Sequence, residues 1–182
     1  MRRYFKKRTV ISVPVTKAMT EGMCYSNVRQ LVAEHGGKPI WGWRLDQVGT
    51  AFMEAMHHAI WEDPSGGLHD VTPISSGKKL DNILFARDFE TRVTPYDPGV
   101  PSKFLALRQS ASVNEWIELN RTRMKIMREA LDIMLSKRHV VLSNGSIGLR
   151  EPPSVELMNR LKTIEELRIR SGPVWNMMEA EC

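Results

Sequence analysis

Apolar and polar positions change their period twice along this chain. Residues 9–15, TVISVPV, are β-branched and predict a short strand, with Pro14 suited to an edge or a strand end. Residues 21–35 predict a helix, because Val28, Leu31 and Val32 give the i, i+3, i+4 stripe of an amphipathic face. His35, Gly36 and Gly37 close it, with glycine where a left-handed cap is needed. Residues 39–45, PIWGWRL, predict a strand, and residues 51–62, AFMEAMHHAIWE, a longer one. Residues 67–72, GLHDVT, are its expected hairpin partner, and one more strand is expected around Asn82–Ala86. Residues 95–103, PYDPGVPSK, hold three prolines and a glycine, which is a linker signal.

Beyond the linker the period becomes helical. From about Ser112 to Lys137 apolar residues recur at helical spacing, among them Trp116, Leu119, Met124, Met127, Leu131, Met134 and Leu135. Asn144-Gly145 and Pro152-Pro153 break the pattern. Residues 154–170 predict another helix, with Ser154 as N-cap and Glu156 in the first turn. The expected organisation is a mixed α+β unit over residues 1–95 and a helical extension over residues 96–182, packed on it. The stripe of Met124, Met127 and Met134 is read as core; adaptable methionine-rich binding faces are the other use of such a stripe.

Composition narrows the class. With 182 residues, 42% hydrophobic and 26% charged, the chain can bury a core without disulfides or metal. No apolar run approaches the ~20 residues that span a bilayer. MRRYFKKR has the charge of a signal peptide's first region, but Pro14 and Lys17 interrupt the segment after it and no small-residue cleavage site is present. The cysteines, Cys24 and Cys182, make no disulfide framework, so a cytoplasmic protein is expected. The net charge of +5 is concentrated in this basic arm, which is read as a solubilising tail, with nucleic acid as a less favoured partner. No membrane partner is expected, and oligomeric state is left open.

Three residues carry the candidate chemistry: Cys24, His58 and Asp70. Acyl transfer by a thiol needs a thiolate, an imidazole to manage protons and a carboxylate to hold the imidazole. Asp63-Pro64-Ser65-Gly66 suits a type I turn followed by a left-handed glycine, which makes a three-residue hairpin loop. Asp63 then opposes Gly67, Ile60 opposes Asp70 and His58 opposes Thr72. Side chains alternate with period two, so His58 and Asp70 share a face as diagonal neighbours about 7–8 Å apart. His57 points the other way and is read as a buried or half-buried sheet histidine; His69 is read as structural or surface. Cys24 falls in the first turn of the predicted helix, where orphan amides and the macrodipole favour a thiolate. Its own N–H can face an attacked carbonyl, and Asn27, one turn on, is a candidate oxyanion or supporting contact.

The block Cys24-Tyr25-Ser26-Asn27-Val28, then Gly36-Gly37, Gly42-Trp43, His58-Ala59-Ile60-Trp61 and Asp70-Val71-Thr72-Pro73, resembles small phage and bacterial proteins of the papain-like superfamily, in its transglutaminase-like branch. The resemblance covers about residues 20–75. It implies an α+β papain-like core, in which a helix carrying the cysteine lies against an antiparallel sheet. It also implies Cys24 as nucleophile, His58 as general base and acid, and Asp70 as orienting carboxylate. The chain departs from the pattern at His57, where relatives carry an apolar or aromatic residue, and shows no clear upstream glutamine.

The expected function is acyl transfer to or from a protein or peptide: hydrolysis of a peptide or isopeptide bond, deamidation of glutamine, or amine transfer. The alternative is a non-catalytic binding module on the same fold, contacting protein or nucleic acid through the basic arm and Met-rich helices. No cofactor is expected. A metal site lacks C-x-x-C or H-x₃₋₅-H ligand pairs. There is no phosphate-binding loop and no G-x-S-x-G elbow. Glu54 and Glu62 have no clear partner for a glycosidase pair and are read as sheet-surface charges.

Overall fold

The computed structural model describes residues 9–16, 19–73, 80–91, 93, 100–136, 140–143, 146–149 and 152–181. The basic arm, most of the 95–103 linker, Asn144-Gly145 and Cys182 lie outside the described residues. The chain is α+β. Its described strands are β1 (Val10–Pro14), β2 (Lys38–Val48), β3 (Phe52–Glu62), β4 (Leu68–His69), β5 (Asn82–Arg87), β6 (Lys103–Ala106), β7 (Val140–Ser143) and β8 (Ser146–Leu149). Its described helices are α1 (Cys24–His35), α2 (Ala111–Ser136) and α3 (Val155–Ala180). They fall into two compact units, Met1–Gln47 with Met53–Leu105, and Val48–Phe52 with Ala106–Cys182.

In the first unit the strands run β1-β5-β2-β3-β4, with β6 also paired to β3. β1 and β2 both pair antiparallel with β5, and β3 pairs antiparallel with β4. The two ends of this path meet. Asp70 N–H donates to the Pro14 carbonyl (2.9 Å), Thr16 N–H donates to the Asp70 carbonyl (3.0 Å), and Val15 and Asp70 form a parallel bridge. The sheet thus curls towards a barrel, which removes exposed edges.

Its inner face gathers Val13, Ile60, Ile83 and Phe85, flanked by Ile11, Ile40 and Leu68. Gly42 makes this closure feasible, since a Cβ there would run into the Phe85 ring and the Ala86 carbonyl. On the outer face α1 buries Val28 and Leu31 against Ala59 and Val71. Fully burying side chains of this size stabilises by about 1.5–3 kcal/mol each.

The hairpin forms as its residues predict. Trp61 opposes His69 and Glu62 opposes Leu68, the register counted from a three-residue loop. Asp63 N–H donates to the Gly67 carbonyl (2.9 Å) and Gly66 N–H to the Asp63 carbonyl (3.0 Å), with Gly66 at φ +91°. Asp63 Oδ1 accepts from Ser65 N–H (2.7 Å), the Ser65 hydroxyl (2.6 Å) and Gly67 N–H (2.9 Å). His69, read as structural or surface, donates from Nε2 to Asp63 Oδ2 (2.9 Å). The Ser65 hydroxyl, His69 and the Gly67 amide hold the Asp63 carboxyl well below the usual range. Glu62 sits among sheet-surface cations, 2.8 Å from Lys38 Nζ.

Four expectations need correction. The partner of β3 is two residues long, not six, because the chain leaves the ladder at Asp70 to bond the end of β1. The proline-bearing stretch ends in strand β6, and β7 and β8 flank Asn144-Gly145, with Ser143 opposite Ser146. The last helix passes Pro173 and runs to Ala180, although that proline offers the Ile169 carbonyl no N–H. The Met stripe is core only in part: Met127 is 45% exposed, Met124 and Met134 are half-buried, and the buried apolar residues of α2 are Val113, Ile117, Leu119, Ala130 and Leu131.

In the second unit α2 and α3 lie antiparallel. Glu181, at the end of α3, accepts from the Ser110 (2.6 Å) and Ser112 (2.9 Å) hydroxyls at the start of α2. Arg170 pairs with Glu115 and Arg160 with Glu129 further along. The α3 residues turned inward include Leu157, Val174 and Met178, on one heptad-like seam. Phe52 stacks on Trp116 with ring centroids 4.6 Å apart. No described helix is long and apolar enough to cross a membrane.

Candidate active site

Helix α1 begins at Cys24 itself. The 21–35 expectation starts it too early, because Thr20–Gly22 form a turn in which Gly22 takes φ +70°. Met23 N–H bonds the Thr20 carbonyl (3.4 Å), and helical bonding opens with Asn27 N–H on the Met23 carbonyl (2.9 Å). The Cys24 N–H therefore stands ahead of the first intrahelical bond. Cys24 is a half-buried free thiol.

His58 lies in β3, on the inner-face side shared with Ile60, and is 4% exposed. Its Nε2–H donates to Asp70 Oδ1 at 2.9 Å. Asp70 is fully buried, and its Oδ1 also accepts from Thr72 N–H (3.1 Å). The diagonal placement derived from the loop length thus becomes a direct contact once Asp70 swings towards β1. Burial alone depresses the His58 imidazolium. The hydrogen bonds of Asp70 and Cys24 and the charges of both groups outweigh it, and the pKa is raised to about 9.

Asn27 is 3% exposed. Its amide donates to the Thr20 carbonyl (2.7 Å) and to Thr72 Oγ1 (3.0 Å). Both amide hydrogens have acceptors, so the geometry supports the supporting role and not an oxyanion contact. Thr72 then links the parts: its N–H holds Asp70, and its hydroxyl accepts from the helix that begins at Cys24. Asn27, Thr72, Asp70 and His58 form one hydrogen-bonded chain inside the first unit, and Asn27 belongs to the helix that begins at Cys24. Spacing arguments did not bring out Thr72, although it stands two residues after Asp70, where a side chain returns to the same face.

A second polar group lies beside the first. His57 is buried in the sheet as expected, at 5% exposure, but it has polar company. The Tyr25 hydroxyl lies 2.7 Å from His57 Nδ1, and Asp88 Oδ2 lies 3.8 Å from His57 Nε2. Asp88 accepts from Glu90 N–H (2.9 Å), the Thr91 hydroxyl (2.7 Å) and Trp43 Nε1–H (2.7 Å). Burial resists charge on Asp88, but these donors hold its carboxyl well below the usual range. The only sequence signals for this group are a second histidine next to His58 and a tyrosine next to Cys24.

Among the described residues no group of three or more His, Cys, Asp or Glu side chains is arranged to hold a metal ion. No protein-family model matches the chain, and neither a curated protein nor a solved structure gives a significant match.

Proposed function

We propose that this chain is a thiol-dependent acyl-transfer enzyme on a papain-like, transglutaminase-like core, acting on a protein or peptide in the cytoplasm. One observation supports the reading: the buried His58 imidazole donates to the Asp70 carboxylate at 2.9 Å, and Cys24 is among the groups that raise the pKa of that imidazole. That is the arrangement a thiol nucleophile needs.

The steps come from the groups present. Cys24 passes its thiol proton to His58, and the sulfur attacks an amide or thioester carbonyl. The oxyanion develops near the N–H of Cys24 at the start of α1, where the helix dipole also favours negative charge. His58 returns the proton to the leaving amine or thiol, and the S–acyl bond remains. Water or an amine then attacks that thioester, with His58 as base, and Cys24 is released. With Nε2 donating to Asp70, Nδ1 is the ring nitrogen left for these transfers.

The test is the rate of Cys24 alkylation by iodoacetamide across pH, followed by labelling with acyl-directed probes. Cys24→Ala abolishes labelling by the acyl-directed probes. Asp70→Ala lowers their turnover by about 10²–10⁴, the range seen when an orienting carboxylate is lost. An alkylation profile unchanged by His58→Ala would overturn the proposal. The non-catalytic module is then the reading left, and the exposure of Met127 (45%), Met158 (50%) and Met177 (58%) is what favours it.

A further inference from the structure

We infer that Tyr25, His57 and Asp88 form a positioning unit that sets the rotation of α1 and thereby aims Cys24 at His58. The inference rests on the catalytic reading of Cys24 and His58 and adds three residues to it.

Consecutive helix residues project about 100° apart, and consecutive strand residues leave opposite faces. Cys24 and Tyr25 are consecutive at the start of α1. His58 and His57 are consecutive in β3. Cys24 acts on the charge of His58, and the Tyr25 hydroxyl lies 2.7 Å from His57 Nδ1. The first turn of the helix is therefore fastened to two neighbouring strand residues that point to opposite sides. A rotation that withdrew the sulfur from His58 would also break the Tyr25–His57 bond.

The tyrosine hydroxyl is directed by what lies behind His57. The side chains of His57 and Asp88 are 0% and 1% exposed. Asp88 is kept ionised by its donors, so the ring proton of His57 belongs on Nε2, facing that charge across 3.8 Å. Nδ1 is then the acceptor, and the Tyr25 hydroxyl donates to it. Rings hold the imidazole from the side: Trp43 lies edge-on at 5.0 Å and Tyr25 at 5.9 Å between centroids, and Tyr25 also packs edge-on against Trp41 at 5.5 Å. An apolar side chain at 57 would pack this interior as stably, since buried ionic groups are seldom a net gain. A directional bond to Tyr25 is what the polar residues add.

The test uses the full chain. The second-order rate of Cys24 alkylation by iodoacetamide is measured from pH 5 to 10 for the natural sequence, Tyr25→Phe and His57→Gln, with circular dichroism as the check on folding. Tyr25→Phe keeps the ring and removes only the hydroxyl. The expected result is a fall of about tenfold in rate at pH 6, the effect of losing one buried hydrogen bond. His57→Gln moves it in the same direction and decides the matter if Tyr25→Phe does not fold. A merely structural role would lower the melting temperature and leave the profile in place, and superposed profiles would overturn the inference. If the natural sequence itself alkylates as an ordinary thiol, whatever stands at 58, the catalytic reading fails first and takes this inference with it.

Discussion

His58 is the residue on which the chemistry turns, and its charge state makes a measurable claim. In the unfolded chain it titrates near 6.5, and in the folded chain at about 9. The folded state binds the proton more tightly, so this interaction contributes fully below pH 6.5. It is lost progressively as pH rises from 6.5 through 9. An NMR titration of the ring is expected to show a midpoint near 9, moving down in Asp70→Asn and in Cys24→Ala. A midpoint that ignores both variants would mean the imidazole answers to neither partner. The pairing of His58 with Asp70 was legible in the sequence because the hairpin loop is short, odd in length and built from strong turn formers. The bond from Thr72 to Asp70 and the amide of Asn27 were not, because each depends on a chain crossing that spacing does not report.

At the scale of elements, the expected strands and helices err at their ends, while β6, β7 and β8 were not expected at all. β4 stops after His69 because the backbone of Asp70 finds better partners on β1, and a local pattern carries no information about that strand. α1 starts at Cys24 because Gly22 breaks the turn before it. β2 tolerates Gly42 in its middle for a packing reason, the passage of Phe85 across its inner face. Gly42→Ala is therefore expected to destabilise by about 1–3 kcal/mol, the usual cost of overpacking, in urea denaturation. An unchanged urea midpoint would show that Phe85 and the Ala86 carbonyl can move aside. α3 outran its prediction because its seam on α2 outweighs the loss of one helical bond at Pro173.

At the scale of the whole molecule, every residue of the candidate site and of its positioning unit belongs to the first unit, while α2 and α3 belong to the second. Leu157, 0% exposed on the seam between those helices, separates the two. Leu157→Ala is expected to cost about 2–5 kcal/mol, read from denaturant unfolding by far-UV circular dichroism. It is expected to leave the alkylation profile of Cys24 unchanged under native conditions. A profile that moved with this variant would tie the helices to the chemistry.

Period, turn residues and caps act over a few positions, and those the sequence alone determined: α1, β1, β2, β3, β5, the hairpin register, and a histidine and an aspartate on one face. What only the tertiary structure decided was how distant ends meet. The closing of β1 on Asp70, the bond of His58 to Asp70, and the fastening of Tyr25 to His57 bring together groups far apart along the chain. Their partners are chosen by the curl of the sheet and by the face on which α1 packs, and no local pattern encodes either.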